Sequence, residues 1–370
     1  MSTRIQAPDG AQAGALVPPT DLGDLRARVD GALAGFLAAR RRQLVEIDAA
    51  LLPVAETIEA FVLGGGKRLR PAFGYWGFRA AGGVDSDALV AAVAALELVQ
   101  ASALIHDDLM DGSDTRRGEP AVHRRFAAAH SSSGWAGDPT GFGSASAILL
   151  GDLCLVWSDQ LLNEAGLPPL TLARARPVFD AMRTEVTGGQ YLDLLTQATG
   201  DTSRERASKV AVYKSAKYTV ERPLLFGAAL ADAPQPLREA LSAFGLPLGE
   251  AFQLRDDVLG IFGDPGRTGK PAGDDLREGK RTFLVAAALE ACGARQREAL
   301  LAGLGDPSLD EPRVAELTAV IVGSGALAAT EERITQLTET ALGALEAAPM
   351  ASQAREVLAA LALAATARRH

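Results

Sequence analysis

Residues 89–117 read LVAAVAALELVQASALIHDDLMDGSDTRR, and this stretch decides the fold class. About twenty mostly apolar residues, typical of a buried helix, end in a cluster of acids followed by two arginines. The rest of the chain has the same character, because Ala and Leu dominate and aromatic residues make up only 5%. Alternating β-branched runs are hard to find. The sequence therefore predicts an all-α fold.

Composition excludes several classes of protein. The 370 residues carry a net charge of −9 without a long basic run, which disfavours nucleic-acid binding. Cys154 and Cys292 stand in apolar helical contexts without metal-ligand spacing, so we interpret both as buried thiols in a reducing cytoplasm. No apolar run of the length of a membrane span lacks a charged, Gly or Pro residue, so we expect no membrane span and a cytoplasmic location.

Short Gly, Pro and Asp breaks divide the chain into helical runs, with no repeat and no linker between them. We expect a flexible tail over residues 1–20 and one helical domain over residues 21–370. Two connections are unusually long. We expect the segment 263–275, which alternates Gly and Pro with charge, to be a lid over a site, and the segment 131–143 to be flexible.

The end of the first apolar helix carries a polar stripe. At 3.6 residues per turn, Glu97, Gln100, Asp107, Asp108 and Asp111 fall within an arc of roughly 100°. Acids at a helix C-terminus oppose the helix dipole and repel one another unless a cation lies between them. Hard oxygen ligands suit Mg²⁺, which takes one or two carboxylates together with substrate phosphates.

A second apolar helix repeats this arrangement. Glu250, Gln253 and Asp257 share one stripe, with Asp256 roughly 60° away. If the two helices face each other, their acids form a metal site with two sides. Cations accompany both acidic sets, in the Gly-rich turn GGGKRLRP (64–71) and at Arg116, Arg117, Lys270 and Lys280. Acids, bases and a divalent metal together predict the chemistry of a diphosphate.

These motifs resemble those of the trans-isoprenyl diphosphate synthases, the polyprenyl synthetase family, and in particular bacterial geranylgeranyl diphosphate synthases. GGGKRLRP, DDLMDGSDTRRG, GGQYLDL, YKSAKYTVERP and FQLRDDVLGIFGDPGRTGKPAGDDLREGKRT follow in the family's order, so the resemblance covers roughly residues 25–365. It implies one large helical bundle around a deep central cavity, and a homodimer. It also implies condensation of isopentenyl diphosphate with an allylic diphosphate, namely dimethylallyl, geranyl or farnesyl diphosphate.

The resemblance assigns roles to individual residues. Three Mg²⁺ ions, with Mn²⁺ as a substitute, would be bound by Asp107, Asp108, Asp111, Asp256, Asp257 and Asp275. The allylic diphosphate would be held by Arg116, Lys214, Lys270 and Lys280, and isopentenyl diphosphate by Lys67, Arg70, Gln100 and Arg117. Gln253 and Ser215 would stabilise the developing allylic cation, which makes the catalytic set Lys214, Ser215, Gln253, Asp107 and Asp256.

Two positions depart from the family. Gly260 stands where many members have the last Asp of the second motif, and we expect a weaker third ion. Gln100 stands where many bacterial members have His, and we expect a neutral change, because an amide still donates to a diphosphate oxygen.

In this family the growing chain lies along the first acidic helix. The residues expected to form its floor are Ala103, Ser102, Val99 and Leu96, with Tyr191 from a neighbouring helix. The first turn lacks Phe and Tyr, so the floor is predicted to be deeper than fifteen carbons, with geranylgeranyl diphosphate as product. Farnesyl and longer products of C25 and above remain alternatives.

Three further alternatives belong to other classes. A terpene cyclase usually lacks the Gly-Lys-Arg turn and the second Asp pair with its lysines, both of which are present. A catalytically silent subunit usually loses acids of the first motif, whereas Asp107, Asp108 and Asp111 are retained. A plain metal- or anion-binding helical protein leaves the paired motifs unexplained.

Overall fold

The structure is a computed structural model that describes residues 20–264 and 272–367. The predicted tail falls almost wholly outside these residues, as do Lys270 and most of the predicted lid. Within the described ranges the fold is all-α, as predicted. The helices of the first part are α1 (Thr20–Ile47), a short 3₁₀ turn (Ala49–Leu51), α2 (Leu52–Leu63), α3 (Leu69–Ala80), α4 (Asp87–Met110), α5 (Val122–Ser132), α6 (Pro139–Glu164) and α7 (Pro169–Thr199).

The second part continues with α8 (Arg204–Val210), a π-helix (Ala211–Glu221), α9 (Arg222–Leu230), α10 (Gln235–Phe262), α11 (Asp274–Arg277), α12 (Phe283–Ala291), α13 (Ala294–Gly303), α14 (Glu311–Gly323), α15 (Ala326–Ala347) and α16 (Ser352–Thr366). In the part of the chain that the structure describes, β-structure is confined to two short antiparallel strands. These are β1 (Thr115–Arg116) and β2 (Glu119–Pro120).

Helix α4 lies at the centre of the bundle. Ser86 caps it, its hydroxyl accepting a hydrogen bond from the backbone N–H of Leu89 at 3.2 Å. The helix packs against α1, α3 and α6, so apolar side chains are buried all round it. Each fully buried Leu or Ile contributes roughly 1.5–3 kcal/mol. This packing holds the acidic end of α4 in a defined place.

Helix α10 is the counterpart of α4 in the second half. It packs against the π-helix on one side and α15 on the other. Its C-terminal part belongs to a second hydrophobic cluster with α12, α14 and α15, which includes Leu254, Val258 and Ile261. The second acidic set is therefore also held on a buried helix.

The expected flexible segment 131–143 is mostly helical. Helix α5 continues to Ser132 and α6 begins at Pro139, so the connection is short. Asp138 caps α6, and the rings of Trp135 and Phe142 pack together with centroids 5.4 Å apart. The connection itself is confined to residues 133–138, because Ser131 and Ser132 still belong to α5 and their hydroxyls donate to carbonyls of that helix. The flexibility of this connection stays a prediction.

The expected absence of a membrane span stays a prediction, because the hydropathy of the described helices does not test it. Among the described residues, Asp87–Met110 and Pro139–Glu164 are long and apolar enough to cross a membrane, and the bent pair Glu311–Gly323 with Ala326–Ala347 adds a third if counted as one span. The single polar or Gly residues in these helices do not lower their mean hydropathy below that of a helix that could span a membrane. The apolar window of α4 is 72% buried inside the fold, whereas that of α6 is only 33% buried.

Both cysteines are free thiols. Cys154 is fully buried, as predicted, and burial raises the pKa of its thiol to about 12. Cys292 follows the last residue of α12 and is half-buried, which differs from the expected burial.

Candidate active site

A cavity of about 1100 Å³ lies between α4, α7, the π-helix and α10. Of the residues predicted for the site, those that line it are Lys67, Arg70, Val99, Gln100, Ser102, Ala103, Asp107, Arg116, Tyr191, Lys214, Ser215, Gln253, Asp256, Asp257, Asp275 and Lys280. Asp108, Asp111, Arg117 and Leu96 lie outside its lining. The two acidic helix ends therefore share one cavity with most of the predicted cations.

The first acidic set is held by cations. The Lys214 ammonium lies 3.1 Å from Asp107 Oδ1 and 2.7 Å from Asp193 Oδ2. The Arg116 guanidinium donates to Asp108, with its Nε 2.9 Å from Oδ1. Burial raises the pKa of Asp107, but the charges of Lys214, Lys280 and Arg116 outweigh it and hold the pKa below its usual value. Asp107 is therefore an anion at neutral pH.

Asp111 is in a different situation. Both of its carboxylate oxygens are buried without a hydrogen-bond partner, and Lys280 Nζ is 3.4 Å from Oδ2. Burial, with the neighbouring charge of Asp107, raises its pKa to about 6. A buried carboxylate with unsatisfied oxygens fits a divalent cation, which would supply the missing partner.

The second acidic set lies opposite. Gln253 Nε2 donates to Asp257 Oδ1 at 2.7 Å. Burial raises the pKa of Asp257 to about 8, and the charges of Asp275 and Asp256 add to the rise. The acids of this set therefore also need a cation to be ionised together.

Lys280 joins the two sets. Its ammonium is 3.4 Å from Asp111 Oδ2 and 3.7 Å from Asp275 Oδ1. Burial lowers the pKa of this lysine, but the surrounding carboxylates raise it well above its usual value. The predicted facing of the two acidic helix ends is thus present, with a lysine between them.

Asp275 fills the place left at Gly260. A Cβ on Gly260 would lie 2.0 Å from Asp275 Oδ2 and 2.4 Å from its Cγ. The carboxylate of Asp275 therefore lies where a side chain at position 260 would begin. Sequence reasoning treated Gly260 as a missing carboxylate, whereas in the structure another carboxylate occupies that space.

The carboxylates of the two acidic sets do not by themselves supply a complete set of metal ligands. Among the residues that the structure describes, no three His, Cys, Asp or Glu side chains are arranged so that they could hold a metal ion. Lysines and arginines lie between the carboxylates instead. This arrangement suits Mg²⁺, because that ion keeps waters and shares its coordination between few carboxylates and the phosphates of a substrate.

The Gly-rich turn 64–66 leads into three basic residues with different surroundings. Arg68, with a left-handed φ of 51°, is buried and donates to Asp30 and Glu97 at 2.7 Å each. Lys67 and Arg70 line the cavity, and the Arg70 guanidinium lies 4.3 Å from the Tyr218 ring centre. The ion pairs of Arg68 therefore anchor the turn that presents the other two cations.

Arg117 was predicted to hold isopentenyl diphosphate, and it lies behind this turn. Its guanidinium donates to the carbonyl of Gly65 at 2.9 Å and stays outside the cavity lining. Burial and the charge of Arg68 lower its pKa. Arg117 in this conformation supports the turn.

The π-helix positions Lys214 and Ser215. Helix α7 crosses it so closely that a Cβ on Gly189 would lie 2.4 Å from the backbone nitrogen of Lys214. A π-helix is rare and often marks a functional site, because its wider turn shifts the direction of side chains. From the sequence, this segment was interpreted as part of one continuous α-helix.

Several cavity residues were missed. Gln190 Nε2 donates to Asp107 Oδ1 at 3.0 Å, and Asp193 binds Lys214. Their three-residue spacing in GGQYLDL places both on one helix face, which was a usable signal. Tyr218, Thr219 and Arg183 also line the cavity and had no such signal.

Four of the five residues expected to form the floor line the cavity, and their role as a floor stays a prediction. Ala103, Ser102, Val99 and Tyr191 line the cavity, but Leu96 does not. A residue three positions before Val99 is rotated by about 60° around the helix. The Leu96 side chain therefore packs against α3, where its Cδ1 lies 3.3 Å from the Cβ position of Gly74.

Comparisons with known proteins agree with this geometry. The family described as polyprenyl synthetase matches residues 53–321. The chain is 32% identical to a geranylfarnesyl diphosphate synthase of Aeropyrum pernix, over 71% of this chain and 77% of that protein. It is 34% identical to a geranylgeranyl diphosphate synthase of Methanosarcina mazei, over 75% of this chain and 82% of that protein.

A solved structure is similar over nearly the whole length. It is a geranylgeranyl pyrophosphate synthase from Corynebacterium glutamicum complexed with isoprenyl diphosphate and magnesium, 42% identical, with a TM-score of 0.92. The alignment covers 94% of this chain and 100% of that one. Because the family match spans the Gly-rich turn, both acidic helix ends and the π-helix, the chain belongs to the polyprenyl synthetase family of trans-prenyltransferases.

Proposed function

We propose that this enzyme condenses isopentenyl diphosphate with an allylic diphosphate to give geranylgeranyl diphosphate. The observation that carries the proposal is the polarity of this cavity. Carboxylates and cations meet at one end, and Val99, Ala103 and other small or apolar groups line the part next to it. A diphosphate with a prenyl tail has the same two-part character.

Bound Mg²⁺ would neutralise the charge of the departing allylic diphosphate. Asp107 and Asp111 would hold ions on one side and Asp256 on the other, with Asp108, Asp257 and Asp275 supporting them. The buried oxygens of Asp111, which lack hydrogen bonds, fit this role. We propose three ions, and Mn²⁺ as a substitute.

The cations of the chain would orient the allylic diphosphate. Lys214, Arg116 and Lys280 already lie beside the carboxylates that would carry the metal, at 2.9 to 3.8 Å. Preorganised charges need no reorganisation during reaction, which makes them effective against a leaving anion. Lys270 is proposed for the same task, although it lies outside the described residues.

Isopentenyl diphosphate would bind beside the Gly-rich turn. Lys67, Arg70 and Gln100 line this part of the cavity, and Arg117 lies behind it. The double bond of isopentenyl diphosphate would then attack the allylic carbon once the C–O bond has ionised. The cation that results would lose a proton to the departed diphosphate, which restores a double bond in the product. Gln253 and Ser215 would stabilise the allylic cation, and the hydrogen bond to Asp257 fixes the Gln253 amide for this purpose.

We infer the length of the product from the helical turn of α4 that precedes Asp107. Ser102 and Ala103 line the cavity there and leave room that an aromatic side chain would fill. The names of the similar proteins from Methanosarcina mazei and Corynebacterium glutamicum support a twenty-carbon product. Farnesyl diphosphate and products of C25 and above are the alternatives.

We also propose that the protein is cytoplasmic and forms a homodimer. The homodimer is inferred from α6, which carries an exposed apolar face. Leu149 is 62% exposed and Val156 is 61% exposed, with Ile148 beside them. Light scattering should give twice the 38.5 kDa of the chain, and Val156→Lys should weaken the dimer. Val322→Lys, at an exposed position on α14, is the matched control. A monomeric wild-type protein, or one that partitions onto lipid vesicles through α6, would contradict this assignment.

The test of the function is a condensation assay. Purified protein is incubated with Mg²⁺, isopentenyl diphosphate and, separately, dimethylallyl, geranyl or farnesyl diphosphate, and products are sized after dephosphorylation. We expect a twenty-carbon product from every primer and loss of activity in Asp107→Asn. Absence of condensation with all primers would favour a silent subunit, and a fifteen-carbon end product would contradict the proposed length.

A further inference from the structure

The far end of the cavity is charged. Arg183, on α7, lines the cavity together with the apolar side chains of Val99, Leu155 and Val186. Neither the resemblance nor the motifs assign a role to this arginine. Its position is unexpected, because a pocket for a hydrocarbon tail has no use for a cation as a ligand.

Helices α7, α4 and α6 each indicate how far this end of the cavity lies from the acidic helix ends, and the three distances are similar. On α7, Arg183 precedes Asp193 by ten residues, which is about 15 Å along the axis. On α4, Val99 precedes Asp107 by eight residues, about 12 Å. On α6, Ile148 lies level with the acidic end, because its carbonyl is 3.1 Å from His106 Nε2, and Asp159 lies about 16 Å farther along that helix.

Arg183 is fixed in its place. Its guanidinium forms ion pairs with Asp159 and Asp180 and lies over the fully buried Phe179 ring, with Cζ 4.5 Å from the ring centre. Asp159 is held in turn by Arg176, which is absent from the cavity lining. A prenyl tail that advanced beyond this point would have to displace a guanidinium from two carboxylates and from an aromatic face.

The depth can be compared with the length of a prenyl chain. An isoprene unit adds four chain bonds, which span about 5 Å by the geometry of an extended backbone. A depth of about 15 Å therefore accepts three units. A fifteen-carbon allylic substrate fits above Arg183, whereas a twenty-carbon one does not.

We propose that Arg183, positioned by Asp159 and Asp180, is the floor that stops chain elongation, an inference that rests on the proposed prenyl transfer. The Arg183 side chain is 21% exposed and its partners Asp159 and Asp180 are 36% and 49% exposed, so these ion pairs contribute little free energy by themselves. The guanidinium stops the tail because it occupies the end of the cavity and is held there by two carboxylates and the Phe179 ring. Elongation would end at the tail length that first meets the guanidinium.

The test uses Arg183→Leu and Arg183→Met in the full-length protein, with farnesyl diphosphate as primer. We expect products of C25 and above to replace the twenty-carbon product. Binding of geranylgeranyl diphosphate, measured by calorimetry without isopentenyl diphosphate, should tighten at least about tenfold, because an added isoprene unit enters apolar surroundings. Arg176→Leu, which alters the same ion-pair network outside the cavity, should leave both measurements unchanged.

The possible outcomes distinguish a failure of the proposed floor from a failure of the proposed prenyl transfer. An active and folded Arg183→Leu or Arg183→Met enzyme that still stops at twenty carbons would overturn the floor. A wild-type enzyme that stops at fifteen carbons would overturn it as well. Wild-type protein that incorporates no isopentenyl diphosphate would refute the prenyl transfer itself, and the inference with it.

Discussion

A single methyl group at position 260 should disturb the second acidic set. In Gly260→Ala the new Cβ would lie 2.0 Å from Asp275 Oδ2, 2.4 Å from Cγ and 2.9 Å from Oδ1. Nonbonded carbon contacts are comfortable at about 3.5–4.0 Å, so the carboxylate must move by more than about 1 Å. Gly260→Asp, which restores the residue common in the family, carries the same Cβ and adds a negative charge.

The magnitude follows from two opposing effects. Overpacking in a well-packed interior costs about 1–3 kcal/mol. Replacing Gly by Ala inside a helix returns roughly 0.5–1 kcal/mol. The free energy of unfolding should therefore fall by about 0–2.5 kcal/mol in Gly260→Ala. Moving Asp275 away from Asp256 should also weaken ion binding, and a loss of about 1.4 kcal/mol corresponds to a tenfold weaker affinity.

The assay is a Mn²⁺ titration followed by electron paramagnetic resonance, with inorganic diphosphate present, alongside urea unfolding. Gly343→Ala is the matched control, because it lies inside α15 and a Cβ there meets nothing within 4 Å. This control should gain stability and keep its Mn²⁺ affinity. If Gly260→Ala behaves like Gly343→Ala in both measurements, the carboxylate of Asp275 is not held over the glycine.

Three further predictions concern other parts of the site. Glu97→Ala should lower the free energy of unfolding by about 1–3 kcal/mol, because the buried Arg68 loses one of its two carboxylate partners and keeps only Asp30. Asp87→Ala, at an exposed pair, should cost under about 1 kcal/mol in the same urea titration. The raised pKa of Asp257, about 8, means that Mg²⁺ must displace a proton at neutral pH. Affinity should therefore rise from pH 6 to pH 8.5, by up to about tenfold per pH unit for each proton released, and calorimetry in two buffers should detect the release. Equal affinity across this range would contradict the raised pKa. Ala103→Phe should shorten the product to fifteen carbons by chromatography, and an unchanged length would show that the tail avoids α4.

The sequence predicted much of this site because its signals are local. The 3.6-residue period brings Asp107 and Asp111 to one end of an apolar helix, whatever lies around that helix. The same reasoning found Asp256 and Asp257. Acids at a helix end need a cation, so the diphosphate chemistry follows from short-range physics.

The errors came from contacts between helices. Leu96 is on the helix that lines the cavity, but whether its face of that helix meets the cavity or another helix depends on where α3 packs. The ion pair between Lys214 and Asp193 could not be found from the sequence. It forms because α7 crosses the π-helix closely at Gly189. The run of small residues at 131–143 was interpreted as a loop because aromatic packing over α6 has no local signature.

The sequence by itself determined that the chain is helical, where its helices carry acids and cations, and which ligand chemistry those groups suit. Tertiary structure decided which of them meet. Arg68 turned inward to Glu97 rather than outward, Asp275 came to lie over Gly260, and Arg183 came to line the cavity and to pair with Asp159. The physical reason is that a side chain's direction around a helix follows from the helix period, whereas its partner depends on helix packing between residues far apart in the chain.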